Sequence, residues 1–512
     1  MQGNATGRAV ARWWLGLFVV GFVVYGLTAN RGAQWQDSGY HILRVVNGEV
    51  VNPLGLALSH PLHHNLGRFA AYIGMFEPCL AVTLLSSLAA ALAVANVFGC
   101  VTALTRCLPA GLFAALALGL AHTFWQLATL AETYTLTAAL LAAECWCIAA
   151  FAQSRRGKWL ALAWLFNGIG LANHVLALLT IPVLVGVTIV ALRRDRANVR
   201  AAAAGAGLWL IGSLPYTVLV GWAAYQTGDL AGALRSALFG EGYTEAVLNV
   251  TPSARQLLVT VAFTLLNFPN LVLPLAAYGL FVARRSDVPM MARRALAAGL
   301  LIHMLFAFRY DIVDQHTFFL PSYLLLTVFA GVGFAGLLQC GTSPRRRLVT
   351  QLALVSLAWT PALYAVAPYV ARTPVVARRL TALGWPEHRK PYRDDYVYAL
   401  VPWSVLEDSA ERMSRAAIEA AGPAGLIVCE GRMSEFAIRY RVMRGGFDGI
   451  AVAWAAEPAA LEEATRAGRS VVLVPRLADA PSLSPPMGSW QRVGDVYVLD
   501  RRAATDGGAD GE

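Results

Sequence analysis

Long apolar segments recur along the first 370 residues of the chain and then stop. Most are close to the ~20 residues that an α-helix needs to cross about 30 Å of hydrocarbon. The pattern predicts eleven spans, over residues 13–29, 78–104, 109–124, 131–152, 159–173, 175–192, 201–223, 256–282, 295–309, 317–339 and 348–370. We interpret the first as a retained anchor rather than a signal peptide, because its apolar stretch is long and no clear small-residue cleavage site follows it.

The basic residues predict the orientation of these helices. Seventeen of them occupy alternate short connections, namely Arg8, Arg12, Arg106, Arg155, Arg156, Lys158, Arg193, Arg194, Arg196, Arg200, Arg284, Arg285, Arg293, Arg294, Arg345, Arg346 and Arg347. The opposite connections carry six, namely Arg31, Arg44, Arg68, Arg235, Arg255 and Arg309. Because cytoplasmic loops are enriched in Lys and Arg, we expect a cytoplasmic N-terminus and, after an odd number of spans, an external C-terminal region.

The pattern changes after the last span to short apolar runs that alternate with helical segments. The predicted strands are 426–429, 450–454, 471–474 and 496–499, and the predicted helices are 404–421, 434–443 and 458–467. Ser404 and Glu407 have the spacing of a capping box. Alternating strands and helices indicate a small soluble α/β domain with a partly parallel sheet. We therefore divide the chain into a membrane domain (1–370), an accessory domain (371–505) and a disordered tail (506–512).

Composition agrees with a membrane protein. The chain is 57% hydrophobic and 14% charged, with a mean hydropathy of +0.53, which excludes an ordinary soluble or disordered protein. The net charge of +10 invites a nucleic-acid partner, but most of the basic residues of the membrane domain lie in the predicted cytoplasmic connections, so we predict none. The seven cysteines contain no CxxC pair and indicate neither a disulfide framework nor a zinc site.

Ionisable residues in or near the spans are the candidates for function, because a charge at mid-membrane costs at least about 2.5–3.5 kcal/mol. They are Asp37, His41, Arg44, His60, His63, His64, Glu77, His122, Glu132, Glu144, His174, His303, Arg309, Asp311, Asp314 and His316. All except Glu144 and His303 fall at or near predicted external ends. This one-sided distribution indicates an active site at the outer membrane surface.

The first external loop is the richest in these residues. The spacing of apolar residues after Asp37 predicts a short interfacial helix that ends at Asn47 and Gly48. The structural alternative for Asp37 is an N-cap of that helix. The run His60, His63 and His64 contains no Cys or acidic ligand, so we expect surface histidines rather than a metal site.

The later external ends are less distinctive. Trp125 and Tyr134 are typical of aromatic residues at the membrane surface. Glu132 has no basic neighbour in sequence that would explain it structurally. Arg309 has two interpretations, an ion pair with Asp311 or Asp314 and a bidentate contact to a phosphate.

Several short sequence segments, most of which contain these residues, occur in a characteristic order along the chain. They are Asp37-Ser38-Gly39, His60-Pro61, Phe124-Trp125, Ala131-Glu132-Thr133-Tyr134, Gly170-Leu171-Ala172-Asn173-His174, Tyr310-Asp311 to Asp314, and Phe319-Leu320-Pro321. In this order they resemble the protein O-mannosyltransferase-like family of polytopic glycosyltransferases, in the GT-C superfamily. The resemblance covers roughly residues 13–325. Leu62-His63-His64-Asn65 departs from the proline-rich continuation that is usual after His-Pro.

The resemblance implies a GT-C-like fold and transfer of mannose or a similar hexose from a polyprenyl-phosphate donor to a protein or glycan acceptor on the external face. It implies that Asp37 is the general base, and Glu132 is assigned with it to the catalytic residues. Candidate partners for the donor phosphate are Arg309 and His174. The candidates for binding acceptor or sugar are His41, His60, Tyr134, Asp311 and Asp314. No cofactor is required, and a divalent metal is not predicted.

Two other functions remain open from the residues. A transporter or lipid flippase would use the mid-membrane residues Glu144 and His303, although no internal repeat supports it. A non-catalytic scaffold would lose its function on deletion of residues 371–512. The strong preference for Arg over Lys, with abundant Ala and Gly, favours a bacterial inner-membrane protein and an undecaprenyl-type lipid.

Overall fold

The computed structural model describes residues 2–282, 288–312, 314–339, 344–382, 385, 392–455, 457–476 and 481–500. Over these residues a helical membrane domain is followed by a small α/β domain. The helices of the first part are α1 (Gln2–Thr28), α2 (Gln36–Asn47), α3 (Pro61–Ile73), α4 (Pro78–Thr105), α5 (Leu108–Gly119), α6 (His122–Ala128), α7 (Tyr134–Ser154), α8 (Gly157–Asn173), α9 (Ile181–Arg194), α10 (Asn198–Thr227), α11 (Leu230–Phe239), α12 (Thr244–Leu248), α13 (Ala254–Asn267), α14 (Val272–Val282), α15 (Met290–Arg309), α16 (Gln315–Phe318), α17 (Leu320–Gln339) and α18 (Pro344–Ala371). Two 3₁₀ turns, Leu56–Leu58 and Val175–Thr180, lie among them.

The membrane-spanning helices largely follow the hydropathy pattern. Eight helices of the described chain are long and apolar enough to span a membrane, and two bent pairs raise the number to as many as ten. The pairs are α5 with α6, bent by 70°, and α13 with α14, bent by 102°. The predicted fifth span is α8, whose 17 residues make it short for a full crossing. A multi-pass protein is therefore confirmed, while the number eleven is not.

Small residues allow the central helices to pack closely. A Cβ atom on Gly279 of α14 would lie 2.0 Å from the carbonyl oxygen of Phe329, and one on Gly333 of α17 would lie 2.2 Å from that of Leu275. Close backbone approach at glycines is typical of helix packing in membranes, where burial of apolar surface alone drives little association. Buried α4, α7 and α17 form the centre of the domain, whereas most of α1 and α10 remains exposed for lipid.

The second part carries the sheet that the sequence predicts. Its helices are α19 (Pro374–Ala382), α20 (Asp395–Leu400), α21 (Ser409–Ala421), α22 (Arg432–Gly445) and α23 (Pro458–Arg466), and its strands are β1 (Leu426–Cys429), β2 (Ala451–Trp454), β3 (Val471–Val474), β4 (Ser489–Val493) and β5 (Val496–Asp500). The strand order is β2-β1-β3-β5-β4. Strand β1 pairs in parallel with β2 and β3, and β5 is antiparallel to β3 and β4. The polar and mostly exposed β4 gave no apolar signal and was not predicted.

The predicted capping box at Ser404 is wrong. Helix α21 begins at Ser409, and the N–H of Ser404 donates to the carbonyl of Thr28 at 3.0 Å. The Ser404 hydroxyl lies 3.1 Å from that of Thr129. Ser404 therefore joins the two parts of the chain instead of starting a helix. The predicted disordered tail, 506–512, lies outside the described residues.

The α/β domain packs on the long connection between α1 and α4. Phe436 of α22 stacks on Tyr40 of α2, with ring centroids 4.5 Å apart. Tyr392, which precedes α20, stacks on Trp35 at 4.9 Å. The loop that is richest in candidate residues is thus enclosed between the membrane helices and the second domain.

Candidate active site

Asp37 lies in the first turn of α2 and does not cap it. The N-cap position is Trp35, and no side chain caps the helix, so the capping interpretation of Asp37 is wrong. Gln36 has a φ of 58°, a left-handed conformation that a residue other than glycine adopts only when its surroundings enforce it. Trp35 enforces it in part, because its Nε1 donates to the Ser409 hydroxyl at 2.9 Å. Asp37 is thus free of a capping role and is held in place from both domains.

A buried arginine holds the rest of the first loop. Arg44 of α2 is 1% exposed, and its guanidinium donates to backbone carbonyls on both sides of the loop. Nη2 lies 2.5 Å from the oxygen of Val50 and 3.1 Å from that of Ser59, and Nε lies 3.2 Å from that of Glu49. Charged donors to several carbonyls fix a loop more strongly than neutral hydrogen bonds do. The chain after α2 is therefore rigid up to His60.

Three carboxyl groups form the electrostatic centre of the site. Desolvation by the surrounding protein and, to a smaller degree, the Asp314 carboxylate together raise the pKa of Asp37 to about 6, while the side chain stays accessible to solvent. Burial also raises the pKa of Glu132 to about 8, with an added effect of Asp37. The pKa of Asp314 is raised by burial and lowered by Arg393. At neutral pH these directions favour an ionised Asp37 beside a protonated Glu132, a division typical of acid and base partners.

Short hydrogen bonds position Glu132. The Ser38 hydroxyl donates to its Oε1 at 2.6 Å, which joins it to the residue after Asp37. Its backbone N–H donates to the hydroxyl of Ser86 in α4 at 2.9 Å. Glu132 follows α6, the second half of a bent span, so the bend brings this carboxyl back towards α2. A buried carboxyl group that is protonated carries no charge, so Glu132 needs no basic partner.

Arg393 brings a positive charge to this centre and was not predicted. Its guanidinium carbon lies 4.1 Å from the ring centroid of Tyr398, and its Nη2 lies 2.6 Å from Asp395. The Tyr398 hydroxyl approaches Oε1 of Gln36, next to Asp37, at 3.4 Å. The change of pattern after residue 370 predicts a separate accessory domain, which leaves Arg393 outside the expected site. No local motif marks Arg393, so only the three-dimensional contacts identify it.

The histidines of the first loop are buried, so the expectation of surface histidines is wrong. The rings of His41 and His60 lie 5.7 Å apart, those of His41 and His63 5.5 Å, and those of His60 and His174 4.7 Å. His60 has a φ of 47°, and its Nδ1 contacts the carbonyl of Asn173 at 2.8 Å. Burial lowers the pKa of His60 to about 4 and that of His63 to about 3, so both are neutral.

The described part of the chain contains no group of three or more His, Cys, Asp or Glu residues arranged to hold a metal ion. The neutral histidines present ring nitrogens for hydrogen bonds, and Nε2 of His63 and of His64 is buried without a partner in the described structure. A buried and unpaired nitrogen costs about 1–3 kcal/mol. The histidine cluster is therefore suited to bind a polar, uncharged group such as a sugar hydroxyl.

The remaining predicted residues lie either at the candidate site or at its edge. Tyr134 contacts His174, with ring centroids 5.4 Å apart, and Nδ1 of His174 accepts the Leu176 N–H at 3.2 Å. Arg309 donates from Nη2 to the carbonyl of Val247 at 2.7 Å. Among the described residues it forms no ion pair with an acidic side chain, so the predicted pairing with Asp311 or Asp314 is wrong. Asp311 is exposed at the edge.

The connection between α11 and α12 interacts with the first loop and with the carboxyl groups. Burial raises the pKa of Tyr243, and the charges of Asp37 and Asp314 contribute to the rise. The Glu241 N–H donates to the carbonyl of Leu54 at 2.7 Å. A Cβ atom on Gly55 would lie 2.6 Å from Cα of Gly240, so only glycine allows the two loops to meet this closely. No sequence pattern identified Tyr243 as a candidate.

Comparison with known proteins is consistent with this geometry. Residues 37–198 match the family model described as "Protein O-mannosyl-transferase TMEM260 N-terminal domain". No curated protein matches the chain significantly. The solved structure of ArnT from Cupriavidus metallidurans bound to undecaprenyl phosphate is similar at a TM-score of 0.61 and 17% identity, over 96% of this chain and 98% of that one. Arabinofuranosyltransferase AftD from Mycobacteria is similar at a TM-score of 0.50 and 17% identity, over 95% of this chain and 39% of that one.

The matched segment begins at Asp37 and includes Glu132 and His174, so it covers two of the three carboxyl-bearing elements and most of the histidine cluster. The structural similarity extends over nearly the whole chain, including the α/β domain. The resemblance to protein O-mannosyltransferase-like GT-C glycosyltransferases is thereby confirmed, and the chain is a multi-pass membrane protein with the GT-C fold.

Proposed function

We propose that the chain is a membrane glycosyltransferase that moves mannose or a similar hexose from a polyprenyl-phosphate donor to a hydroxyl group of a protein, glycan or lipid acceptor. The single observation that carries the proposal is the Asp37 carboxyl, which is solvent-accessible at the end of the membrane helices and shares an electrostatic environment with Glu132 and Asp314. The match of residues 37–198 to an O-mannosyltransferase domain supports the reaction class. The similar fold of ArnT, solved with undecaprenyl phosphate, supports the type of donor.

The proposed reaction needs one base and one stabilised leaving group. The acceptor oxygen forms a bond to the anomeric carbon of the sugar while the bond from that carbon to the phosphate oxygen breaks. The acceptor proton passes to the Asp37 carboxylate, and the bonding electrons leave with the lipid phosphate. A carboxylate whose pKa is near 6 is a stronger base than an ordinary aspartate and is still mainly ionised at pH 7.

The other candidates surround this step. Arg309 and His174 remain our candidates for the donor phosphate, since Arg309 has no carboxylate partner among the described residues and ring nitrogens of neutral imidazoles also bond to phosphate oxygens. A protonated Glu132 can donate a hydrogen bond to the sugar or phosphate. His41, His60 and Tyr134, together with the two aspartates of the loop after α15, are assigned to the acceptor and sugar.

We propose that the α/β domain and the carboxyl groups face the outside of a bacterial inner membrane. The support is the excess of basic residues in the connections on the opposite side, which sets orientation in most multi-pass proteins. Cysteine substitution of exposed Arg194 and exposed Arg466, followed by labelling of intact cells with an impermeant maleimide, tests it. Only the second variant should be labelled, and labelling of the first alone would reverse the orientation.

Asp37→Asn is the direct test of the proposed base. The amide has the size of the carboxyl group but accepts no proton, so we expect transfer from a radiolabelled polyprenyl-phosphate sugar to fall by about 10²–10⁴-fold. Asp448→Asn, at an exposed position of the α/β domain, is the matched control. Both proteins should keep the wild-type thermal stability. Full transfer activity in the Asp37 variant would remove it as the base.

A transporter or flippase remains the alternative because of one observation. Glu144 accepts hydrogen bonds from Asn167 and Thr180 at 3.2 and 3.1 Å, and His303 lines the same buried cavity. Its volume of about 20 Å³ admits roughly one water molecule and no sugar or lipid headgroup. If Glu144→Gln with His303→Asn abolished lipid movement in vesicles while transfer activity persisted, transport would be the better description.

A further inference from the structure

A groove in the α/β domain lies outside the site described above. It runs between α21 and α22 and has a volume of about 620 Å³, within the ~300–1,000 Å³ typical of small-molecule sites. Ile418, Phe447 and Ile450 form its apolar part. Its charged part contains three arginines and two glutamates, namely Arg415, Arg441, Arg444, Glu411 and Glu419. The lining therefore suits an amphiphilic ligand with a negative charge.

The inner end of the groove is attached to the membrane domain. Arg441 donates from Nε to Oε2 of Glu411 at 2.5 Å and from Nη1 to Oε1 of Glu77 at 3.0 Å. Glu411 also accepts the backbone N–H of Ala33 at 3.0 Å. Since Glu77 directly precedes the membrane-spanning α4, this end of the groove lies where a span leaves the bilayer.

The outer part of the groove keeps positive charge available. Arg444 is exposed and has neither an ion pair nor a hydrogen bond among the residues that the structure describes. Arg415 is 75% exposed, and within the described parts of the chain its side chain bonds only to Glu411, one turn away on the same helix. Such exposed pairs contribute little stability, so Arg415 can turn to a ligand at small cost. Two arginines in this arrangement match the oxygens of a phosphate.

An exposed apolar patch adjoins the groove on the membrane domain. It comprises Phe69, Tyr72, Ile73, Met75 and Phe76, at the end of α3 and in the link to α4. Tyr72 is 89% exposed and Met75 is 74% exposed. In a membrane protein, amphipathic segments of this kind lie among the lipid headgroups and the first part of the acyl chains. The patch ends one residue before Glu77, so lipid reaches the inner end of the groove.

We propose that the groove between α21 and α22 binds the headgroup of an anionic phospholipid from the adjacent leaflet. The acyl chains lie against the apolar patch of residues 69–76, and the phosphate contacts Arg415 and Arg444. The occupant is a lipid rather than an acidic peptide because the apolar patch and the positive groove are continuous through the contact between Glu77 and Arg441. The bound lipid fixes the α/β domain on the bilayer surface.

The test is titration of the full-length protein in neutral detergent with dioleoylphosphatidylglycerol, with bound lipid counted by native mass spectrometry. We expect each arginine to contribute about fivefold to the affinity, so Arg415→Gln with Arg444→Gln should weaken binding roughly 25-fold. The double Arg→Lys variant should lose less, because it keeps the charge but not the planar fork. The amount of bound dioleoylphosphatidylcholine should be the same for the wild type and the arginine variants.

The matched control is Arg412→Gln with Arg466→Gln. Both side chains are exposed, lie on helices of the same domain and are outside the groove. This control removes the same charge and should bind phosphatidylglycerol as the wild type does. Equal binding by the groove variant, or an equal loss in the control, overturns the proposal. Because binding is counted directly, the result does not depend on the transferase activity.

Discussion

The raised pKa of Asp37 predicts a specific pH dependence of transfer. Its pKa rises from 3.8 to about 6, about two pH units, so a much smaller fraction of Asp37 is ionised below pH 6 than for an aspartate in water. Desolvation is the larger cause and Asp314 the smaller. Because only the ionised form accepts a proton, kcat/KM should fall tenfold per pH unit below about pH 6 and level off above it.

The raised pKa of Glu132 predicts a second fall in the transfer rate, on the high-pH side of the rate profile. Its pKa of about 8 means that a hydrogen bond donated by its protonated form is lost as the pH rises through that value. The profile should therefore be bell-shaped, with limbs near pH 6 and pH 8. The two groups interact, so the limbs belong to the pair rather than to either residue alone. Glu132→Gln, which keeps a donor, should abolish the upper limb and retain the lower one.

Asp314 provides the sharpest test of this reasoning. Asp314→Asn removes a negative charge that disfavours ionisation of Asp37, so the lower limb should move towards lower pH. The assay is the initial rate of sugar transfer at low donor concentration, in nanodiscs, from about pH 4.5 to pH 9.5. A wild-type limb near pH 4, or a limb that Asp314→Asn leaves unchanged, would refute the assigned environment of Asp37.

Three further results are expected. Arg393→Gln should lower kcat/KM about 10–100-fold at neutral pH, with unchanged expression, because the only described cation that lowers the pKa of Asp314 is lost. Ser38→Ala removes a hydrogen bond that lowers the pKa of Glu132, so the upper limb of the rate profile should move to higher pH. The pKa of His60 is lowered to about 4, so its share of folding stability is present above about pH 6.5 and declines as the pH falls towards 4, by about 3 kcal/mol. Thermal unfolding between pH 7 and pH 4.5 should show this loss in the wild type and a smaller one in His60→Asn.

Local patterns predicted much of the fold. Apolar length located most of the spans, and Gly48, in a left-handed conformation with a φ of 74°, ends α2 as its position after Asn47 predicted. The bends between α5 and α6 and between α13 and α14 were not predicted, because the apolar pattern continues through both breaks. The parallel strands were predicted because they are short, apolar and separated by helical segments.

The candidate site was predicted only in part, because its electrostatics depend on contacts between distant segments. The residues of the first loop were identified, but the burial of His60 depends on α8, which supplies the carbonyl of Asn173. The alternative interpretation of Asp37 as an N-cap was wrong because Trp35 and Gln36 turn the chain before the helix begins. Short-range sequence patterns report neither effect.

The division of the chain at residue 370 was the assumption that hid most of the missed residues. Arg393 and Tyr398 come after the last span, yet Gln126 Nε2 donates to the carbonyl of Tyr398 at 2.9 Å and the Tyr398 hydroxyl approaches Gln36. These contacts place a cation from the second domain among carboxyl groups of the first. The α/β domain is therefore part of the environment that sets the charge of Asp37. Deletion of the chain after residue 370 should remove transfer activity even if the membrane domain still folds, whereas retained transfer would show that the membrane domain alone sets the charge of Asp37.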